Sequence, residues 1–327
     1  MRALIYGYRA DEEAAFEEFT ARLGIEPVYL RQNLCRETAA QAEGIEAIAV
    51  NAMSQLDREN LKRLAQLGVR YIATRSIGFD NLDVEACREL GLKFANAPYS
   101  PHSVADYTVM LMLMLTRKLK TIQRRALAQD YGFDGFQGRE LHNLTVGVVG
   151  TGRIGRTVLG DLAGFGPRCI AYDLRPDDAL RDRVEYVGLE ELFARADIIT
   201  LHAPLQASSR HMINAGSIAG MKDGAMLVNT ARGELVDTAA LIDALESGKL
   251  GGAALDVLEG EQAYTFADHR SGRIVCRERA ILEAMPNVLL TGHYAFYTDQ
   301  AVSDEVRIAL EALKQFTETG KADSQII

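Results

Sequence analysis

Short apolar runs separated by amphipathic stretches recur along the whole chain. In the first hundred residues the runs Ala3–Tyr6, Pro27–Tyr29, Ala47–Val50, Tyr71–Thr74 and Lys93–Asn96 read as short strands. Between them, Asp11–Leu23, Asp57–Leu67 and Val84–Leu90 space their apolar residues as helices do. Strands that alternate with helices predict a parallel sheet covered on both faces. The same alternation resumes after residue 144. Strands are expected at Thr145–Val149, Arg168–Tyr172, Asp197–His202, Ala225–Asn229, Gly252–Val257 and Val288–Thr291, with helices at Arg153–Phe165, Gly188–Ala196, Asn214–Met221, Thr238–Ser247 and Arg277–Ala284. A last amphipathic helix, Thr298–Glu318, is expected to return and cover the first domain, which makes that domain discontinuous. The division expected is residues 1–100 with 298–327 as one domain and 101–297 as the other.

Between the two series, Ser103–Lys120 reads as one long helix with Val, Met and Leu around most of its circumference. Such a helix must be buried between domains or subunits. Asp130–Leu141, rich in glycine and charge, reads as a connector. Arg75–Asn81 and Asn96–Pro101 each follow a strand end, where ligands of open parallel sheets gather; taken alone, Gly78 and Pro98 are equally well explained as turn residues.

The second series opens on Thr145-Val146-Gly147-Val148-Val149-Gly150-Thr151-Gly152-Arg153-Ile154-Gly155, an apolar strand running into a GxGxxG turn and a helix. Gly150 suits the tight turn, Gly152 a close approach of backbone to phosphate, and Gly155 close packing of helix on strand. The helix start offers N–H groups to an anion. The next strand ends at Asp173, about 20 residues on, where a carboxylate binds the adenine ribose. This combination predicts a dinucleotide site. Asp173 favours NADH, because its charge repels a 2′-phosphate, although Arg175 offsets part of that charge.

Composition narrows the partners. The chain has 327 residues, 48% of them hydrophobic, enough for two cored domains. With 45 acidic against 36 basic residues the net charge is −9, which argues against nucleic acid as a partner. The start, Met1-Arg2-Ala3-Leu4-Ile5-Tyr6, reads as a core strand rather than a signal peptide, and Val109–Leu115 is too short to span a membrane. A cytoplasmic protein is expected. Cys35, Cys87, Cys169 and Cys276 lack metal spacing and read as free thiols, so no metal is expected.

Nicotinamide chemistry at a carbonyl needs a proton donor, a cation for the substrate anion and a group that tunes the donor. Three successive strands deliver one of each. Arg232 follows in Asn229-Thr230-Ala231-Arg232-Gly233 and suits a carboxylate fork. Glu261 follows Asp256-Val257-Leu258-Glu259-Gly260, and an acid beside an imidazole favours its charged form and fixes its tautomer. Glu259 competes for that role. His293 follows the last strand, beside Tyr294 and Phe296.

These segments, with His293-Tyr294-Ala295-Phe296-Tyr297-Thr298, resemble the D-2-hydroxyacid dehydrogenases over essentially the whole chain. Tyr99-Ser100-Pro101, Val104-Ala105-Asp106-Tyr107-Thr108 and Asp256-Val257-Leu258-Glu259-Gly260-Glu261 are most similar to the D-lactate dehydrogenases, including the branch serving vancomycin-resistant cell walls. The resemblance implies an α/β protein of two doubly wound parallel-sheet domains, a Rossmann cofactor domain inserted into a flavodoxin-like substrate domain. It implies that His293 protonates the keto oxygen, that Arg232 binds carboxylate and carbonyl, and that Glu261 pairs with His293. The backbone at Ile77 and Gly78, with Tyr99, would hold the substrate carboxylate, and Phe296 would line the side-chain pocket. Arg153 and Ile154 would cover the pyrophosphate, Asp173 the ribose, Ala203 and Pro204 the adenine side, and Thr230, Ala231 and Asp256 the nicotinamide. The resemblance also implies a homodimer, with the all-round apolar helix at its interface.

Two features depart from that pattern. Gly292 stands where the family commonly has proline, which predicts a less rigid backbone before His293. Gln262–Glu278, with Arg270, Arg273 and Arg277, is either a specificity loop or a solvated excursion, and its charge favours the latter.

The reading that follows is NADH-dependent reduction of a small 2-keto acid, pyruvate first, to the D-2-hydroxy acid. The alternatives are the same chemistry on a bulkier acid such as 2-ketoisocaproate or phenylpyruvate, and a non-catalytic NADH-sensing regulator.

Overall fold

The computed structural model describes Met1–Ile327 throughout, and the chain divides into two compact units, Met1–Ser100 with Tyr297–Ile327, and Pro101–Phe296. In the first, β1 (Arg2–Ile5), α1 (Glu13–Leu23), β2 (Glu26–Tyr29), β3 (Ala47–Val50), α2 (Arg58–Gln66), β4 (Tyr71–Thr74), α3 (Val84–Glu89) and β5 (Lys93–Ala95) alternate as the apolar pattern requires. All pairings are parallel, in the order β2-β1-β3-β4-β5. That is the flavodoxin-like order, whose crevice lies between β1 and β3. Asp57 and Asp83 cap α2 and α3 by accepting the backbone N–H groups of Asn60 and Ala86.

The second unit contains α4 (His102–Thr116), α5 (Leu119–Leu127), β6 (Thr145–Val149), α6 (Arg153–Leu162), β7 (Arg168–Tyr172), β8 (Glu185–Tyr186), α7 (Leu189–Arg195), β9 (Ile198–Leu201), α8 (Ala215–Ala219), β10 (Ala225–Asn229), α9 (Thr238–Glu246), β11 (Leu250–Leu255), α10 (Arg277–Ala284) and β12 (Val288–Leu290). Its seven parallel strands run β12-β11-β10-β9-β6-β7-β8, the Rossmann order with its switch point between β6 and β9. β9 and β10 are buried along their whole length, and β6 and β11 are buried except at Thr145 and Gly251, as expected of strands covered on both faces.

The predicted helix Ser103–Lys120 is two helices. Lys118 adopts a left-handed conformation, φ 53°, and separates α4 from α5. The Nζ atom of Lys120 then donates to the carbonyl oxygens of Glu283, Met285 and Val288, fastening α5 to the end of α10 and to β12. The α4 helix packs on α6 and on β10, β11 and β12, with Ala105, Leu111 and Met112 fully buried. The connector from Asp130 crosses the surface largely exposed, and Leu141 at its end is buried in the core of the second unit.

The chain then returns to the first unit as α11 (Asp299–Thr319). Val306, Ala309, Leu310, Leu313 and Phe316 of α11 enter the same core as Ile5 of β1, Ala49 of β3 and Phe16 of α1. Burying each Leu or Phe side chain contributes about 1.5–3 kcal/mol. Beside this core Arg75, just past β4, donates from Nε to Glu12 Oε1 at 2.7 Å and from Nη2 to the carbonyls of Tyr6 and Gly7. Both side chains of this ion pair are fully buried. Glu305 of α11 is also buried, and its Oε2 atom finds no partner in the chain.

Candidate active site

The three strands that end at the proposed chemistry are neighbours in the sheet, β10 beside β11 beside β12. Arg232, Glu261 and His293 therefore leave the same edge of the second unit. Their loops are bonded in the same order: the N–H of Asp256 donates to Asn229, that of Thr291 to Leu255, and that of His293 to Asp256 at 2.7 Å.

His293 Nδ1 lies 2.7 Å from Glu261 Oε1. The acid is 7% exposed, and its other oxygen accepts the N–H of Leu258 at 2.9 Å, which holds it in place. A carboxylate only accepts, so the proton between them belongs to Nδ1 and the opposite nitrogen, Nε2, is left for a reactant. Glu259, the competing acid, instead accepts from Arg210 at 2.9 Å and His211 at 2.8 Å.

Asp256 is 1% exposed and organises the loop carrying His293. Its Oδ1 accepts the Thr291 hydroxyl at 2.5 Å and the Tyr294 N–H at 2.9 Å, and its Oδ2 accepts the Ala295 N–H at 2.8 Å. The resemblance placed Asp256 on the nicotinamide side; its carboxylate is committed to the His293 loop. This clamp also answers the expected looseness at Gly292. His293 holds φ 64°, in the left-handed region, and the backbone on both sides of it is tied to Asp256. A β-carbon at Gly292 would lie 3.0 Å from the Tyr294 ring, so a larger residue there requires that ring to move.

Arg232 lies in a turn in which Asn229 donates to the Arg232 carbonyl at 2.8 Å and accepts from the Ala231 N–H at 3.0 Å. Its Nη1 atom donates to the Ala231 carbonyl. The next residue, Gly233, packs so close to the Leu258–Glu259 backbone that a β-carbon would come within 2.1 Å of the Leu258 carbonyl carbon. Thr230 shares a 2.8 Å hydroxyl contact with Thr108 of α4.

The glycine turn fits a dinucleotide. Gly150 has φ 93°, and a β-carbon on Gly155 would stand 1.9 Å from the Gly150 carbonyl oxygen, so neither position admits a side chain. At Gly152 a β-carbon would meet nothing within 4 Å, which leaves space over the turn. No side chain caps the start of α6, and its first N–H groups suit a phosphate. Arg153 and Ile154 form its first turn. Asp173, at the end of β7, accepts from the Thr151 N–H at 2.6 Å and the Arg175 N–H at 2.8 Å. Burial raises its carboxyl, but these N–H groups and the Thr151 hydroxyl outweigh that and hold it below the ordinary range. Ala203 and Pro204 follow β9, across the switch point, where His202 packs on Gly150. Although His202 keeps some accessible surface, desolvation pushes its imidazole down to about 3, so it is neutral beside the turn. Sequence reasoning passed over His202 because nothing in its neighbours marks a buried histidine.

In the first unit, the carbonyls of the 76–78 loop are all occupied. Ser76 accepts from the Ala97 N–H, Ile77 from Asn96 Nδ2 and Gly78 from the Ser76 hydroxyl. Because peptides are planar and trans, the N–H groups of Ile77 and Gly78 face the opposite way, a geometry suited to an anion. Tyr99 is 7% exposed, with its N–H on the Ala97 carbonyl.

No group of three or more His, Cys, Asp or Glu side chains is arranged to hold a metal ion, no helix is long and apolar enough to cross a membrane, and the four cysteines are unpaired.

The NAD-binding domain model of the D-isomer specific 2-hydroxyacid dehydrogenases matches residues 109–295. An aromatic 2-oxoacid reductase of Clostridium sporogenes is 41% identical over 99% of both chains. A D-lactate dehydrogenase of Lactiplantibacillus plantarum is 38% identical over 100% of this chain and 99% of its own. Among solved structures, a D-2-hydroxyisocaproate dehydrogenase matches with a TM-score of 0.90 and 33% identity, covering 100% of this chain and 99% of its own. With the strand-end geometry and a glycine turn fitted to NAD(H), these matches make the chain a member of the NAD-dependent D-2-hydroxyacid dehydrogenases.

Proposed function

We propose that the enzyme reduces pyruvate to D-lactate with NADH. The observation that carries the chemistry is the 2.7 Å contact of His293 with a nearly buried Glu261, on a loop that Asp256 clamps. NADH, once bound, supplies the hydride. His293 supplies the proton from Nε2 to the keto oxygen, and the imidazole it leaves is held in one tautomer by Glu261. Arg232 offers its guanidinium to the carboxylate and carbonyl. We assign the N–H groups of Ile77 and Gly78, with Tyr99, to the substrate carboxylate, and Phe296 to its side chain. Arg153, Ile154, Asp173, Ala203, Pro204, Thr230 and Ala231 are assigned to the cofactor. Asp173 supports NADH over NADPH, and a measured preference for NADPH would sink that choice.

The bulkier-acid reading has support of its own, since the relative from C. sporogenes is named for aromatic 2-oxoacids. Rates of NADH oxidation across a series of 2-keto acids separate the two. His293→Gln is expected to cut turnover by about 10²–10⁴-fold and leave the NADH dissociation constant unchanged. An NADH-sensing regulator is the correct reading if the wild type oxidises no NADH with any acid of the series.

We also assign the enzyme to the cytoplasm, on its unpaired cysteines, and a second copy of the chain to the groove lined by Val109, Met110, Leu113 and Met114 of α4 with Phe165. Met110 and Phe165 are 39% and 42% exposed there.

A further inference from the structure

We propose that Phe266, on the loop after Glu261, sets the size of the 2-keto acid side chain that the enzyme accepts. The inference rests on the dehydrogenase reading of the same site.

The loop does not leave the site as a solvated excursion at its start. Glu261–Ala263 forms a short 3-10 turn, and the Glu261 carbonyl then accepts both the N–H and the hydroxyl of Thr265, each at 2.9 Å. Thr265 is 7% exposed, so the chain is fixed one residue before the ring. Phe266 itself has φ 59°. A bulky residue in the left-handed region is strained by about 1–2 kcal/mol, and such strain persists only where the surroundings impose it. Five residues other than glycine have positive φ, and two of them, Phe266 and His293, bring their rings together in a tilted contact.

The Phe266 ring centroid is 5.4 Å from the His293 imidazole and 6.2 Å from Phe296, and Phe296 is itself 6.2 Å from His293. The three rings thus form a triangle with the proton donor at one corner. Glu261 occupies the Nδ1 side of the imidazole, so a substrate must come to the other side, with its side chain among these rings. Phe266 is nonetheless 51% exposed, an apolar ring left half open beside the reacting atom. Phe266 and Phe296 meet edge to face, so they form one continuous apolar wall beside the imidazole, which suits a methyl group and crowds a longer chain. Removing one ring admits the larger acid.

The test compares kcat/KM for pyruvate, 2-ketoisocaproate and phenylpyruvate in the wild type, Phe266→Ala, Phe266→Gly and Phe266→Tyr. Both truncations are expected to shift the ratio of bulky acid to pyruvate upward by about 10-fold or more, the size of effect that one or two methylenes produce in an apolar pocket. Phe266→Tyr keeps the wild-type ratio. Because glycine relieves the backbone strain and alanine does not, the same shift in both assigns it to the ring. An unchanged ratio, whether the rates for all acids fall together or only the pH profile moves, overturns the proposal and makes Phe266 a cover for the Glu261–His293 pair. A wild type that prefers phenylpyruvate to pyruvate corrects the substrate but leaves Phe266 to be judged on its own ratio. A wild type that reduces no keto acid overturns the dehydrogenase reading and this one with it.

Discussion

At the scale of single residues, the loop that carries His293 depends on one carboxylate. Asp256 receives three hydrogen bonds from the segment on either side of His293, which holds a backbone conformation that a histidine rarely adopts. Replacing it with asparagine turns one acceptor into a donor facing a donor. Asp256→Asn is therefore expected to lower kcat by about 10²-fold through misplacement of the imidazole, with NADH affinity retained. Stopped-flow turnover and NADH fluorescence titration check the two halves. Lost NADH affinity with kcat intact would return Asp256 to the cofactor. The strand-end placement of Arg232, Glu261 and His293 was legible in the sequence, because each follows a recognisable strand. The choice between Glu259 and Glu261 was not, since it depends on Arg210 and His211 lying some 50 residues away and capturing Glu259. The clamp by Asp256 was hidden for the same reason: three hydrogen bonds to a distant loop leave no local pattern.

At the scale of elements, the strands were the most readable part. Ala47–Val50, Tyr71–Thr74 and Ala225–Asn229 stand where the apolar runs placed them, because a strand buried on both faces is a continuous apolar run. The break at Lys118 was unreadable because apolar periodicity continues across it into Leu119 and Ile122. What makes the break tolerable is tertiary: Lys120 reaches three carbonyls at the α10–β12 corner. Lys120→Met keeps the bulk and removes those bonds, and it is expected to cost about 1–3 kcal/mol of stability in urea unfolding. A loss within a few tenths of a kcal/mol would make the contact incidental.

At the scale of the whole molecule, the first unit carries an acid whose protonation is linked to its folding. Glu305 on α11 is pushed up to about 8, first by desolvation and further by Glu12 and Asp11, against the opposing pull of Arg9 and Arg75. Unfolded, it titrates near its ordinary value of 4.5. The folded state thus keeps a proton that the unfolded chain releases, so this contribution is complete below about pH 4.5 and is lost as pH rises through about 8. One pKa unit corresponds to about 1.4 kcal/mol, which bounds the effect at a few kcal/mol. The wild-type Tm is expected to fall between about pH 6 and pH 9, and Glu305→Gln, which cannot ionise, to remove most of that fall. An equal fall in both proteins would remove Glu305 as its source.

The return of α11 to the first unit also sets a timetable for biosynthesis. Ile5, Phe16 and Ala49 emerge from the ribosome early, yet the face they form is completed by Val306–Phe316. At roughly 5–20 residues per second, the roughly 250 residues between Ala49 and Val306 take about 13–50 s to be made. For that interval the nascent amino-terminal sheet displays an unfinished apolar face while the inserted Pro101–Phe296 unit is still being synthesised. The order of translation therefore runs opposite to the order of completion: Ile5, Phe16 and Ala49 are made long before the helix that seals them from water.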